Sequence, residues 1–351
     1  MTTGNSTPSD LPPPVHKRRP RYSGKNPRRF DQKYKERTPE QYPETVAKVI
    51  ASGKTPAGSH RPIMVAEILE VLRPQPGELG ADCTLGYGGH AREILARLQP
   101  GGRLIGIDAD PLELPRTEAR LRALGFGPET FTVHRSNFAG LPKVLAAEGI
   151  LEGVDVLLAD LGVSSMQLDD PSRGFSVKAA GPLDMRMNPR RGQPASALLE
   201  KMGAEELAAL FEENADEPHA EPLARALAGR SFATTLALGA AIRHALGDRQ
   251  EEQITLSIRR VFQALRIAVN EEFTALETFL RNLPACLRPG GRVAVLTFHS
   301  GEDRRVKKAL EAGLRDGVYA EIAREVLRPS PEECRSNTRS TPAKLRWAVR
   351  R

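Results

Sequence analysis

Short apolar runs alternate with helical stretches along residues 60–165, and several of the runs end in an acid. Segments 79–83, 103–108, 131–134 and 154–160 read as strands. Between them, Val65, Ile68, Leu69 and Leu72 recur at helical spacing, as do Ala91, Ile94, Leu95 and Leu98. Segment 112–124 is also helix-like. The run 154–159 is too apolar to leave one face in water. Such alternation calls for a mostly parallel sheet with helices on both faces. Residues 166–257 then break the rhythm. They are rich in Ala, Leu, Glu and Arg and hold no convincing strand, which predicts a helical insertion. The alternation resumes with Ile258, Phe262, Leu265, Val269, Leu276, Leu280 and Leu283, whose spacing predicts one long helix. A connection ending at Pro289-Gly290-Gly291 leads to a buried strand at 292–298, and 344–349 alternates like a closing strand.

Charge separates the chain differently. Residues 1–60 hold 12 Lys and Arg against 5 Asp and Glu, a surplus equal to the whole chain's net charge of +7. Residues 328–351 hold 7 basic and 2 acidic residues, so the stretch between these ends is net acidic. Residues 1–58 are poor in branched apolar residues and read as a disordered basic arm. Basic ends around an acidic body point to a polyanionic partner. No apolar run is long enough to span a bilayer, and the N-terminus lacks the apolar core of a signal peptide. Cys83, Cys286 and Cys334 lie far apart, so neither a disulfide partner nor a thiolate zinc site is expected, and a reducing cytoplasm fits. No His, Cys and carboxylate spacing suggests a metal.

In open parallel sheets, ligands bind beyond the carboxyl ends of the strands. Three features fall at such ends: the turn Asp82-Cys83-Thr84-Leu85-Gly86-Tyr87-Gly88-Gly89-His90, then Asp108, then Asp160. Glycines let backbone amides approach a ligand, and an acid after a strand accepts from ribose hydroxyls. The pattern Gly86-x-Gly88-x-x-Ala91 also fits a dinucleotide fingerprint, which keeps an NAD-dependent oxidoreductase as the alternative. Asp82 just before the turn favours a cationic cofactor carrying an amine and a sulfonium, namely S-adenosylmethionine, over a pyrophosphate.

Several longer blocks are more specific. They are DCTLGYGGH at 82–90, IGIDADP at 105–111, DLGVSSMQLDDPSRGFS at 160–176, PLDMRMNP at 182–189, FQALRIAVNEE at 262–272, FHSGEDRRVK at 298–307 and AKLR at 343–346. With these blocks, about four fifths of the chain resembles the MraW family, bacterial methyltransferases acting on cytosine N4 of small-subunit ribosomal RNA. The resemblance implies a class I, Rossmann-like methyltransferase fold. The expected organisation is then a methyltransferase domain at 59–165 and 258–351, interrupted by an inserted helical substrate-recognition domain at 166–257. The resemblance also implies S-adenosylmethionine at Gly88, Gly89, His90, Asp108, Phe138, Asp160 and Gln167, with Asp108 at the ribose and Phe138 near the adenine. Asp82 and Gly86 join this set from the turn itself. The implied partner is 16S rRNA within the small ribosomal subunit, methylated at one cytidine of the decoding region. A non-catalytic RNA-binding assembly factor is the remaining alternative, and a homodimer stays open. One departure stands out: the family's FHSLEDR reads FHSGEDR here, with Gly301 replacing Leu.

The chemistry asks for a proton acceptor, because the N4 lone pair is delocalised into the cytosine ring and a proton must leave. Asp160 and His299, each at a strand end, are the candidates, with a hydrogen-bonded structural role weighed equally for His299. Arg173, Arg186 and Arg304 are candidate phosphate or base contacts, with an ion pair to Asp184 weighed equally for Arg186.

Overall fold

The computed structural model describes residues 62–351; the expected basic arm at 1–58 lies outside the described residues. Seven strands form one sheet in the order β3-β2-β1-β4-β5-β7-β6. They are β1 (Leu79–Asp82), β2 (Arg103–Asp108), β3 (Phe131–Arg135), β4 (Val154–Asp160), β5 (Leu287–Thr297), β6 (Tyr319–Ile322) and β7 (Lys344–Arg350). Strands β1 to β5 pair in parallel, whereas β7 runs antiparallel to both β5 and β6. The order reverses at β1, which has β2 on one side and β4 on the other. The chain therefore opens a crevice above the carboxyl ends of these central strands. This is the Rossmann-like methyltransferase architecture.

The strand alternation shows why both faces must be covered. Ile105, Ile107, Leu157, Ala159, Val293 and Val295 enter one core. Their neighbours Leu104, Val156, Leu158, Ala294 and Leu296 enter the other. The first face is sealed by α4 (Leu141–Ala147), α11 (Glu272–Asn282) and α12 (Ser300–Arg315). The second is sealed by α1 (Val65–Leu72), α2 (Gly89–Leu98) and α3 (Leu114–Ala123). Each fully buried Leu or Ile contributes about 1.5–3 kcal/mol relative to exposure.

Between β4 and β5 the chain forms helices α5 (Ser165–Asp169), α6 (Ala195–Lys201), α7 (Ala204–Ala215), α8 (Ala220–Leu227), α9 (Thr235–Leu246) and α10 (Glu251–Val269). A separate core of Phe211, Leu223, Leu227, Leu238, Ile242, Val261, Phe262 and Leu265 holds most of them together.

Three sequence expectations need correction. The long helix from 258 is two helices, α10 and α11, because Glu271 adopts a left-handed φ of 51°. Asn270 fastens that break: its amide donates to the Met185 and Arg266 carbonyls at 2.8 and 2.9 Å and accepts from the Met187 N–H at 2.8 Å. Strand β5 begins at Leu287, ahead of Pro289-Gly290-Gly291, with a register shift opposite Val154 and Val156. Finally, β6 is a strand that the pattern did not announce; only four residues long, it pairs along the edge of β7.

Candidate active site

The crevice is a cavity of about 1470 Å³. Its wall includes Gly86, Gly89, His90, Asp108, Phe138, Asp160 and Gln167 from the strand ends and the connections after them. The glycine turn and the β2 acid form one unit. The Gly86 N–H donates to Asp108 Oδ2 at 2.7 Å, and the Asp110 N–H donates to Oδ1 at 2.8 Å. Each oxygen keeps a lone pair for a ligand. Phe138 packs edge-on against Phe279 with ring centroids 5.6 Å apart, leaving it as apolar wall.

Asp82 and Gly88 do not reach the cavity wall. Asp82 is 1% exposed, behind the turn, where Oδ1 accepts from the Thr84 N–H at 3.1 Å. Gly88 sits at φ 80°, and a Cβ there would lie 2.8 Å from Thr117 Cγ2. It lets α2 start against α3 and does not itself face a ligand.

Asp160 closes the floor. Its N–H donates to Thr84 Oγ1 at 2.6 Å, and Oδ2 lies 3.5 Å from His90 Nδ1. The other nitrogen of His90 is 2.9 Å from the Ile63 carbonyl, which can only accept, so Nε2 carries a proton. Burial, then the nearby Asp82 and Glu302 charges, push the Asp160 carboxyl well above the usual range. Burial also raises Asp108, and Asp82 is pushed up to about 7, again by burial first. Three desolvated carboxyls thus stand at or behind the strand-end wall of one cavity.

His299 behaves differently from expectation. It is the N-cap of α12, and Nδ1 accepts from the Glu302 N–H at 3.4 Å. Nε2 then carries the hydrogen. It lies 3.2 Å from Glu302 Oε1 without hydrogen-bonding geometry, and the residue is not part of the cavity wall. No lone pair of the neutral ring is left for a substrate proton. Glu302, in the first turn of α12, does line the cavity, and its carboxylate accepts from the Phe298 N–H at 2.8 Å. Burial opposes its charge, but contact with His299, the Arg266 charge and the Phe298 N–H outweigh that and hold it below its ordinary range.

Glu272, His299 and Glu302 bring three potential ligand atoms within 4.8 Å of one another. A cation already serves this cluster, because Arg266 pairs with Glu272 through two hydrogen bonds of 2.9 Å.

The three nominated arginines are committed to acids. Arg173 is buried and donates to Asp110 Oδ2 at 2.8 Å and to the Met187 carbonyl at 2.7 Å. Gln167 joins that cluster, donating to the same Asp110 oxygen at 2.9 Å and accepting from the Ser164 N–H. Arg186 forks onto Asp184 at 2.7 and 2.8 Å, the ion pair weighed for it beforehand. Arg304 pairs with Asp216 at 3.0 Å, and both are exposed. None of the three lines the cavity. Arg191 and Arg259 do line it, and the sequence pattern did not single them out.

A sequence model of the MraW methylase family matches residues 57–351. The chain belongs to the MraW methylase family. Among its relatives, ribosomal RNA small subunit methyltransferase H 2 of Alkaliphilus metalliredigens is 50% identical over 342 residues, covering 95% of this chain and 97% of that protein. Ribosomal RNA small subunit methyltransferase H 1 of Lachnoclostridium phytofermentans is 48% identical over 352 residues, covering 98% and 95%. A solved structure described as a putative rRNA-methylase from Clostridium thermocellum overlaps 84% of this chain and all of its own, with a TM-score of 0.37 at 12% identity.

Membership in the MraW family removes the oxidoreductase alternative. It also gives meaning to the departure from the family pattern at Gly301. A Cβ at Gly301 would lie 2.6 Å from Phe273 Cζ. The Phe273 ring occupies this space, 5.8 Å from the His299 ring and 3.6 Å beneath the Arg305 guanidinium. The missing leucine is thus offset by an aromatic from α11, and His299 keeps its capping position.

Proposed function

We propose that this chain transfers a methyl group from S-adenosylmethionine to the N4 amino group of one cytidine in the decoding region of 16S rRNA, within the small ribosomal subunit. The supporting observation is near-full-length identity to ribosomal RNA small subunit methyltransferases H, combined with convergence of the shared motifs on a single cavity.

The residues present fit a cationic cofactor. Asp108 and Asp160 line the cavity with raised pKa values and Asp82 lies close behind, so added positive charge relieves an existing cost. Asp108 would hold the ribose and Phe138 the adenine, with Gly86, Gly89 and His90 along the tail. When bound, S-adenosylmethionine supplies an electrophilic methyl group on a sulfonium.

The rest of the chemistry falls to the chain. A cavity of about 1470 Å³ exceeds what one small ligand needs and leaves room for an unstacked nucleotide. Glu302, held ionised, accepts one N4 hydrogen and orients the amine. Positive charge bound beside Asp160 favours its ionised form, which takes the departing proton at a carboxylate oxygen, with His90 Nδ1 3.5 Å away. Alignment of amine and methyl group can supply up to about 7–11 kcal/mol. Residues 166–257 act as the substrate-recognition domain on the far wall, and the arm at 1–58 tethers RNA.

The test is incubation with labelled S-adenosylmethionine and unmodified small subunits, alongside naked 16S rRNA, followed by nucleoside analysis. N4-methylcytidine from the subunits is the expected product. Its absence from both substrates would count against the enzyme and favour the non-catalytic assembly factor. Among the described residues no helix is long and apolar enough to cross a membrane.

A further inference from the structure

We infer that Arg191 and Arg259 hold RNA phosphates flanking the target nucleotide; this rests on the rRNA reading above and deepens it. Both residues line the cavity and both are exposed. Among the described residues, neither guanidinium has a hydrogen-bond or ion-pair partner. That sets them apart from Arg173, Arg186, Arg266 and Arg304, each of which is consumed by a carboxylate. A paired arginine must give up its acid before it can take a phosphate. An unpaired one offers its planar fork at once.

Position strengthens the assignment. Arg259 and Arg266 lie seven residues apart on α10, two turns along one helix face and about 10 Å along the axis. The inner one is half-buried and neutralised by Glu272. The outer one is exposed and free. Arg191 belongs to the loop that precedes α6, on the same helical side of the cavity. Two further exposed arginines line the wall: Arg339 is paired with Asp169, and Arg135 ends β3 beside the strand-end acids, away from the helical part of the wall. Desolvated carboxyls thus stand at the strand ends, and the helical part of the wall adds two arginines that no acid neutralises. A nucleotide entering base-first towards Asp160 trails its backbone past the arginines. Metal ions and small acids would not need two separated, solvated guanidiniums, whereas a phosphodiester chain does.

The experiment measures equilibrium binding of small subunits, and of a 16S rRNA fragment, from about 50 to 200 mM salt. The proteins are the full chain, R191A, R259A, the double variant, R259K, and R225A as an exposed, Glu221-paired arginine that does not line the cavity. Retained S-adenosylmethionine affinity reports an intact fold. The expected result is a slope of log affinity against log salt that flattens by about 0.7–1 for each alanine. R259K keeps the wild-type slope and R225A leaves it unchanged. Unchanged slopes in R191A and R259A overturn the assignment, as does an equal loss in R225A or a loss of cofactor affinity without a change in slope. Because binding carries the test, its failure is distinct from failure to form N4-methylcytidine.

Discussion

At the strand end of the cavity, Asp108 and Asp160, with Asp82 behind them, are desolvated and held towards their neutral forms. On the helical side, Arg191 and Arg259 reach solvent with no counter-ion. The first region stores unfavourable charge burial that a cation relieves. The second keeps solvated charge that an anion recruits. One cavity can thereby sort a cationic cofactor from a polyanionic substrate by electrostatics before any shape is read. Asp110 and Arg173 join the two regions. Asp110 follows the β2 acid, and Arg173 carries that contact to the Arg186 and Met187 carbonyls, next to the Asn270 break.

The largest effect that would break this contrast is chemical. Asp160→Asn should lower kcat by about 10²–10⁴-fold in single-turnover methylation, with the RNA salt slope intact. A flattened slope with unchanged kcat would mean that the two regions have been assigned backwards. Next comes the joint between them. Arg173→Ala leaves Asp110 buried without its cation, with only the Gln167 amide and the Leu112 N–H donating to it, so chemical denaturation should show a loss of about 3–5 kcal/mol. A loss below about 1 kcal/mol would show that the pair does not hold the helical wall to the sheet.

Smaller again is the departure at position 301. Gly301→Leu drives a side chain into the Phe273 ring and should cost about 1–3 kcal/mol. Combining it with Phe273→Ala should recover part of that cost; strict additivity in the double-variant cycle would refute the packing account.

The gentlest prediction is a pH dependence. Asp82, pushed up from an ordinary carboxylate value to about 7, makes the native state bind more protons between about pH 4 and 7, and the raised Asp108 and Asp160 act in the same sense. Their stabilisation is present in acid and lost as pH rises through that window. Lowered carboxylates such as Glu302 and Asp303 act in the opposite sense, but only below about pH 4. Thermal melts of the unliganded protein should therefore fall by a few degrees from pH 5 towards pH 8. Saturating S-adenosylmethionine should shrink the fall, and a flat profile with and without it would remove the electrostatic basis for cofactor binding.

Much of the strand-end site is legible in one dimension. Asp108 and Asp160 stand at the ends of apolar runs, and a parallel strand delivers its last residue to the ligand edge wherever it pairs. Phe138 and Gln167 followed from the family motifs. The ion pairs of Arg173 and Arg304 are not legible there, for a specific reason. Arg173 meets an acid 63 positions away and Arg304 one 88 positions away, and nothing in local spacing announces such partners. His299 looked like a base because it ends a strand, but the helix that follows takes its Nδ1 lone pair as a cap. The break at Glu271 was hidden likewise, since the Met185 and Met187 groups that fasten Asn270 lie more than 80 positions earlier.

The sequence by itself determined the parallel sheet, the inserted helices and the acids at the strand ends, because each depends on periodicity that neighbouring residues impose. Tertiary structure alone decided which charges are spent and which remain available. Pairing and desolvation depend on what lies across space. That is why Asp82 retreats behind the turn, Glu302 comes forward, and Arg191 and Arg259 are left facing the cavity unpaired.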